Sequence, residues 1–246
     1  MFPKICTIGP FTIYSYGVMF ALAVGVCCWL IQRDSRRWGI EPDQIGDFAF
    51  WVILSGILGA RIFYIFLNLD YFWEDPKEMI MIQNGGLAWQ GGFLGGILAG
   101  LTYVHKKKLP LLKTIDLAAP YIALGEAIGR IGCFLNGCCY GREVSWGIYF
   151  PVHHARLHPT QLYAAFSLAI VFFILKRFQN TSRIPGQVFA LYLMLAGTQR
   201  FVNEFFRGDH DVAYAGLSVF QWVSLVIISG GIVLYFVFKK RQTAQL

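Results

Sequence analysis

The chain is poor in charge. Only 14% of its 246 residues are Asp, Glu, Lys or Arg, whereas 56% are hydrophobic and the mean hydropathy is +0.52. It has no hydrophilic stretch long enough for a separate soluble domain, and no H-E-x-x-H or C-x-x-C signature. These absences argue against a zinc protease and against a zinc framework of paired cysteines. The composition also excludes a soluble globular enzyme.

The chain is rich in long apolar segments. Seven of them have roughly the 17–25 residues that a spanning helix needs. The first lacks a basic n-region and a clear cleavage site, so we expect it to be retained. The sequence predicts an all-α integral membrane protein with a single membrane-embedded domain over 1–246. We place the spans near 14–32, 47–68, 87–104, 116–135, 161–175, 186–203 and 217–238.

Basic residues are distributed unevenly about these spans. Thirteen of the 21 Lys and Arg residues follow spans one, three, five and seven, five lie in the opposite loops and three lie within spans. The positive-inside rule therefore predicts an N-terminus outside and a cytoplasmic C-terminus. This pattern explains the net charge of +7 without nucleic acid as a partner. The outward loop 141–159 is predicted to form a small polar cap.

Three arginines lie within the apolar segments: Arg61, Arg130 and Arg200. A guanidinium cannot lose its charge, and placing one in lipid costs several kcal/mol even on lenient scales. Their acidic counterparts, Glu126 and Glu204, are fewer. The surplus positive charge indicates an anionic ligand, and a phospholipid phosphate is the nearest candidate.

The predicted topology places the polar groups at one depth. Spans two, four and six run outward, so Arg61, Arg130 and Arg200 all fall in their outer halves. Spans one and three run inward, so Tyr16 and Gln90 enter at the outer face. A site that faces the outer side is therefore predicted.

Span six presents several polar groups on one helix face. Arg200, Asn203, Glu204 and Arg207 are separated by intervals that place them on the same side of a helix. Intramembrane charges usually pair. Glu204 is therefore predicted to hold Arg200 or Arg207 in position.

Cysteine and glycine allow less specific interpretations. The spacing of Cys133, Cys138 and Cys139 matches no zinc framework, so we predict no metal site, although their outward position allows a disulfide. Glycines four residues apart in span three, such as Gly91 and Gly95, predict either close helix packing or a floor where a substrate meets exposed backbone.

Six motifs occur in order across the predicted spans, and together they resemble the bacterial phosphatidylglycerol–prolipoprotein diacylglyceryl transferase family. The motifs are IYSYG (Ile13–Gly17), GARIFY (Gly59–Tyr64), GGLAWQGG (Gly85–Gly92), GRIGCFLNGCCYGR (Gly129–Arg142), HPTQLY (His158–Tyr163) and RFVNEFFRGD (Arg200–Asp209). The resemblance implies a seven-helix enzyme of the bacterial inner membrane with its active site toward the periplasm. It would move the diacylglyceryl group of phosphatidylglycerol to the lipobox cysteine of a prolipoprotein signal peptide, among membrane lipids and without a cofactor.

The resemblance also implies residue roles. Arg130 and Arg200 would hold the phosphate or stabilise its departure, and Tyr16 would shape the headgroup site. The remaining expected contributors to substrate binding are Arg61, Gln90, Gly91, Asn136, Gly141, Glu204 and Arg207.

The chain departs from the family pattern at several positions. Many members have histidine where this chain has Gln90, and members often carry Asn and Glu where Cys133 and Cys138 stand. That histidine is a candidate base for the acceptor thiol, and glutamine cannot act as one. We expect either His158 to replace it, or nearby arginines to lower the thiol pKa enough for water to take the proton.

Two other functions remain open. Intramembrane arginines also line organic-anion pathways, although here no polar path continues on the cytoplasmic side. A relative that binds phosphatidylglycerol but has lost transfer, or changed acceptor, is the second alternative because of Gln90.

Overall fold

A computed structural model of the chain describes residues 1–8, 11–81, 85–182, 184–209 and 213–243. Helices dominate it. The helices are α1 (Ser15–Ser35), α2 (Pro42–Leu67), α3 (Leu69–Glu74), α4 (Trp89–Lys106), α5 (Leu111–Asn136), α6 (Thr160–Gln179), α7 (Gln187–Glu204) and α8 (Val219–Thr243), with 3₁₀ turns at Arg36–Trp38 and Pro76–Met79. The strands are β1 (Lys4–Ile8), β2 (Phe11–Tyr14), β3 (Glu143–Phe150) and β4 (Ala155–Leu157).

The helical prediction is confirmed, and each of the seven predicted segments lies on one long helix. Within the described residues, four stretches are long and apolar enough to cross a membrane: Ser15–Trp38, Pro42–Leu67, Thr160–Gln179 and Val219–Arg241. The predicted spans on α4, α5 and α7 are not among these four. The chain is thus a helical membrane protein.

The short strands were not predicted. Strands β1 and β2 pair antiparallel, and so do β3 and β4. The second hairpin occupies most of the predicted polar cap at 141–159. Single-residue alternation in such short strands gives too weak a pattern to separate them from loop.

The chain folds into two compact units. Unit 1 comprises Met1–Ile31 and Leu112–Leu246, and unit 2 comprises Gln32–Leu111. In unit 1 the buried core joins α5, α6 and α7 through Ala119, Val171 and Val188. In unit 2 the main packing is between α2 and α4.

Glycines bring α2 and α4 into close contact. A Cβ on Gly91 would clash with the backbone of Gly59, and a Cβ on Gly95 would clash with the carbonyl of Ser55. Small residues at such a crossing let two backbones approach. The packing interpretation of the span-three glycines therefore holds for Gly91 and Gly95.

Asp116 joins α5 to the start of α7. Its carboxylate accepts hydrogen bonds from Gly186 N at 2.6 Å and from Phe189 N at 2.8 Å, and it is fully buried. From its place at the start of span four, Asp116 could be expected to cap its own helix. It lies instead five residues inside α5 and caps α7, where a carboxylate satisfies free N–H groups.

We expect Asp116→Ala to lower the free energy of unfolding by about 1–3 kcal/mol for each buried N–H left without an acceptor. Asp116→Asn keeps one acceptor oxygen and should lose less. Denaturant unfolding in detergent would measure both. Asp43→Ala, an exposed acidic residue in the first turn of α2, is the control; an equal loss in both alanine variants would contradict the capping role.

Candidate active site

Arg130 brings a fixed positive charge into α5. In the described part of that unit, its guanidinium forms no hydrogen bond or ion pair. Its charge nevertheless acts on Arg200 of α7, on Glu126 of α5 and on Tyr16 of α1. Arg130 and Arg200 are therefore within electrostatic range of each other.

Tyr16 reaches this site from the first turn of α1. Its ring packs over Gly132, where a Cβ would lie 3.3 Å from the ring Cδ2. The side chain is 45% exposed, so one side of the ring is covered by α5 and the other is open. The absence of a side chain at Gly132 brings Tyr16 next to the turn that carries Arg130.

Arg200 is held by a buried carboxylate. Its Nη2 lies 3.0 Å from Glu204 Oε2, one turn later on α7, and its guanidinium stacks on Phe220 at 4.9 Å from the ring centre. Ser218 donates a hydrogen bond to the other oxygen, Glu204 Oε1, at 2.9 Å. The predicted pairing of Glu204 with Arg200 is confirmed, and the Arg200 side chain stays 23% exposed.

Arg207 completes the group of basic residues. Its Nε and Nη2 donate to the two carboxylate oxygens of Asp209, each at 2.7 Å. Its charge acts on Arg200. Carboxylates neutralise Arg200 and Arg207. Of these three arginines, Arg130 has no ion pair in the described part of unit 1, so its charge favours an anion there.

Gly141 lies where three chain segments meet. Its N–H donates to His158 O at 3.0 Å, and it forms an isolated bridge with Arg207. An added Cβ would clash with His158 Cβ and would lie 2.6 Å from Phe206 O. Glycine is required here because the end of α7 and the start of α6 approach the same backbone. Gly141 thus positions Arg207 through the backbone.

His158 is enclosed by aromatic rings. Its ring lies edge-to-face with Trp146, with centres 4.8 Å apart, and close to Phe206 at 5.6 Å. His158 Nδ1 lies 3.2 Å from the hydroxyl of Tyr163. These contacts set the orientation of the imidazole, which lies between the end of β4 and the start of α6.

Glu126 has a partner that sequence reasoning missed. The Tyr192 hydroxyl donates a hydrogen bond to Glu126 Oε1 at 2.8 Å, which joins α7 to α5. The charges of Arg130 and Arg200 also act on this carboxylate. Tyr192 is 66 residues away in sequence, so no local pattern could reveal the pair. Ser218 was missed for the same reason.

A cleft of about 270 Å³ lies beside these residues on α6 and α7. Its walls combine aromatic, aliphatic and amide groups, which suits the boundary between a headgroup and an acyl chain. The lining residues are Tyr163, Ser167, Gln199, Val202, Asn203 and Phe206.

Residues 3–237 match the family described as prolipoprotein diacylglyceryl transferase. The chain belongs to this family. It is similar to the phosphatidylglycerol–prolipoprotein diacylglyceryl transferase of Clostridium tetani, with 35% identity over 231 residues that cover 91% of this chain and 92% of that protein. The enzyme of the same name from Pseudoalteromonas translucida is 37% identical over 243 residues, covering 94% and 90%. That of Bordetella avium is 33% identical over 256 residues, covering 99% and 97%.

Membership makes the chain a membrane transferase of lipoprotein biosynthesis. The family motifs that carry Arg130, Gly141, Arg200 and Arg207 come together in unit 1, as described above. Asn136 ends α5 between Arg130 and Gly141, and its side chain contacts the thiol of Cys138.

Arg61 has a different environment, in unit 2. Its five N–H donors are all engaged by backbone carbonyls of one loop, and its guanidinium stacks on Phe72 at 5.3 Å. No N–H remains for a phosphate. The structure therefore shows Arg61 holding this loop, and its contribution to substrate binding stays a prediction. The carbonyls belong to Glu78, Met79 (3.1 Å), Met81 (3.3 Å), Gly85 (2.5 Å) and Gly86 (2.9 Å).

We expect Arg61→Lys to release this loop, because three ammonium donors cannot reach five carbonyls. Trypsin cleavage after Lys77 in detergent should then be at least about 5-fold faster, since losing hydrogen bonds from a charged donor costs about 1.5–3 kcal/mol. Arg37→Lys, at an exposed position, provides the control. Equal cleavage rates in both variants would contradict the assignment.

Gln90 and Gly91 stand at the start of α4. The Gln90 side chain is exposed, whereas Gly91 is buried against α2. The packing alone explains the glycine at 91. A glutamine side chain is not a base near neutral pH, so Gln90 cannot accept the proton of the acceptor thiol.

Proposed function

We propose that the chain transfers the diacylglyceryl group of phosphatidylglycerol to the lipobox cysteine of a prolipoprotein signal peptide. The products are a thioether and glycerol phosphate. The observation that carries this proposal is the shared electrostatic site of Arg130 and Arg200, which come from different helices of a chain that matches the family over residues 3–237.

The chemistry requires stabilisation of a leaving phosphate. The acceptor thiolate attacks the glycerol carbon, a C–S bond forms, and the C–O bond to phosphate breaks with its electron pair on oxygen. Preorganised guanidinium groups stabilise that charge best in a water-poor site. Arg130 forms no hydrogen bond in the described part of its unit, so its donors are available for this task. Arg200 is oriented by Glu204. Tyr16 and Asn136 border the headgroup, and Gly141 and Arg207 support it. The scheme uses no cofactor for phosphate departure.

A purified-protein assay tests this function. Incubation with phosphatidylglycerol and a lipobox peptide should add the mass of a diacylglyceryl group to the cysteine peptide and leave a serine peptide unchanged. Anion uptake by proteoliposomes without peptide modification would favour the transporter alternative. Binding of phosphatidylglycerol without transfer would favour an inactive relative.

The membrane arrangement that we propose has seven spans in one domain, in the bacterial inner membrane. The N-terminus and the 141–159 cap would face the periplasm, together with the site, and the C-terminus would face the cytoplasm. The distribution of basic residues supports this arrangement. Reporter fusions would test it: a periplasm-dependent reporter should be active after His154 and inactive after Lys107.

The proton acceptor can be tested by two variants. Gln90→Ala should change the transfer rate less than about 10-fold, since an amide is no base. His158→Gln should lower it about 100-fold if the imidazole takes the thiol proton, and less than about 10-fold if water takes that proton. Transfer rates at equal protein amounts, with folding checked by thermal unfolding, would separate these outcomes. A larger loss in Gln90→Ala than in His158→Gln would contradict the assignment.

A further inference from the structure

Three thiols converge beside the basic site of unit 1. The sulfurs of Cys133, Cys138 and Cys139 all lie within 4.8 Å of one another. Cys133 is on the last turn of α5, and the other two are in the loop that follows. The spacing C-x4-C-C does not suggest a metal framework in sequence, but folding of the loop brings the sulfurs together.

The backbone of this loop is held in place. Gly137 has a φ of 82° and Cys139 a φ of 62°, a conformation that favours glycine. Two buried side chains from the start of α6 fix the loop: Thr160 Oγ1 donates to Cys139 O at 2.8 Å, and Gln161 Nε2 donates to Cys138 O at 2.6 Å. A non-glycine residue kept in such a conformation by its neighbours is typical of functional sites.

Charged groups lie close to the sulfurs. The guanidinium groups of Arg130 and Arg207 are within electrostatic range of the Cys139 thiol. The Tyr16 phenol lies within electrostatic range of all three cysteines. Sulfur and cationic groups from the predicted headgroup site are thus adjacent.

We propose that the sulfurs of Cys133, Cys138 and Cys139 bind a Zn²⁺ ion and leave its fourth position for the acceptor thiol. Thiolates select soft cations, and zinc sites that react use three protein ligands and one open position. Bonds of about 2.3 Å in tetrahedral geometry place sulfurs about 3.8 Å apart, so small side-chain rotations complete the site. The net negative charge of three thiolates with Zn²⁺ is offset by Arg130 and Arg207.

The catalytic consequence rests on the proposed function. The acceptor thiol displaces water from zinc, its proton passes to solvent, and the bound sulfur keeps its electron pair. That pair forms the C–S bond as the C–O bond to phosphate breaks and its electrons leave on phosphate oxygen. The metal would then generate the acceptor thiolate, which Gln90 cannot do because its side chain is not a base.

Metal binding is measurable without transfer. Protein purified with a non-thiol reductant should contain about one zinc per chain, and Co²⁺ substitution should produce sulfur-to-cobalt charge-transfer absorption. Cys139→Ser should weaken Co²⁺ binding more than about 100-fold, since even an outer-shell partner contributes about 10–100-fold. Cys6→Ser, at an exposed cysteine on β1, is the matched control and should bind as wild type.

A second measurement tests the open position. A lipobox peptide should change the visible bands of the Co²⁺ protein, and the same peptide with serine should not. Absence of Co²⁺ binding in fully reduced protein, or equal binding by Cys139→Ser and wild type, would overturn the site. Unchanged transfer by metal-depleted protein would overturn its catalytic part and leave the transferase function standing. Zinc binding without any transfer would instead refute the proposed function.

Discussion

Replacement of Arg130 by alanine should lower diacylglyceryl transfer by about 10³-fold or more. Loss of one preorganised donor to a developing anion costs about 10²–10³ in rate, and loss of an arginine that neutralises a departing phosphate costs about 10³–10⁵. In the described part of its unit, Arg130 has no hydrogen bond or ion pair. Its donors are therefore available to a ligand.

We expect the Arg130→Ala variant to fold as wild type does. Arg130→Ala removes repulsion with Arg200 and breaks no hydrogen bond in the described part of its unit, so the unfolding temperature should stay near that of wild type. Arg130→Lys keeps a charge but not the planar pair of donors, and should recover only part of the rate. Arg37→Ala is the surface control. Full activity of Arg130→Ala in the purified assay would end the proposal that it stabilises the phosphate.

Removal of Arg200 should reduce both stability and transfer. Arg200 is paired with Glu204, whose side chain is 2% exposed. Breaking a buried ion pair from one side costs about 3–5 kcal/mol because the remaining charge stays buried. Arg200→Ala should therefore unfold at a lower denaturant concentration and transfer at least about 10²-fold more slowly.

A double variant separates these two effects. Arg200→Met with Glu204→Gln removes both charges, and the amide can still accept the hydrogen bond from Ser218. Stability should return close to wild type, because neutral replacements of a buried pair are often tolerated, whereas transfer should stay low. If the double variant regains both, Arg200 acts only in folding and has no direct role at the phosphate.

The helices could be predicted well because each is long and apolar. All seven predicted segments lie on long helices, and the polar face of α7 follows directly from the spacing of Arg200 and Glu204. Hydrophobic length and helical periodicity are local properties of a chain. The boundaries were less accurate, since α2 and α5 begin five residues before the predicted starts at Asp47 and Asp116.

The partners of the polar side chains needed the tertiary structure. An arginine within an apolar segment predicts a compensating group but not which one. Arg61 contacts loop carbonyls, Arg200 contacts a carboxylate, and Arg130 contacts neither within the described part of its unit. Asp116 likewise caps α7, 70 residues away. Such contacts depend on which segments pack together.

By itself the sequence determined a helical membrane chain, its family and the residues that bring fixed charge into apolar segments, because composition, periodicity and motifs are all read along one chain. Only the folded structure decided that Arg130 and Arg200 act on each other, that Arg61 is occupied, and that three cysteines meet. The physical reason is distance. Electrostatic and hydrogen-bond energies depend on separation in space, and the fold brings together groups that the sequence keeps far apart.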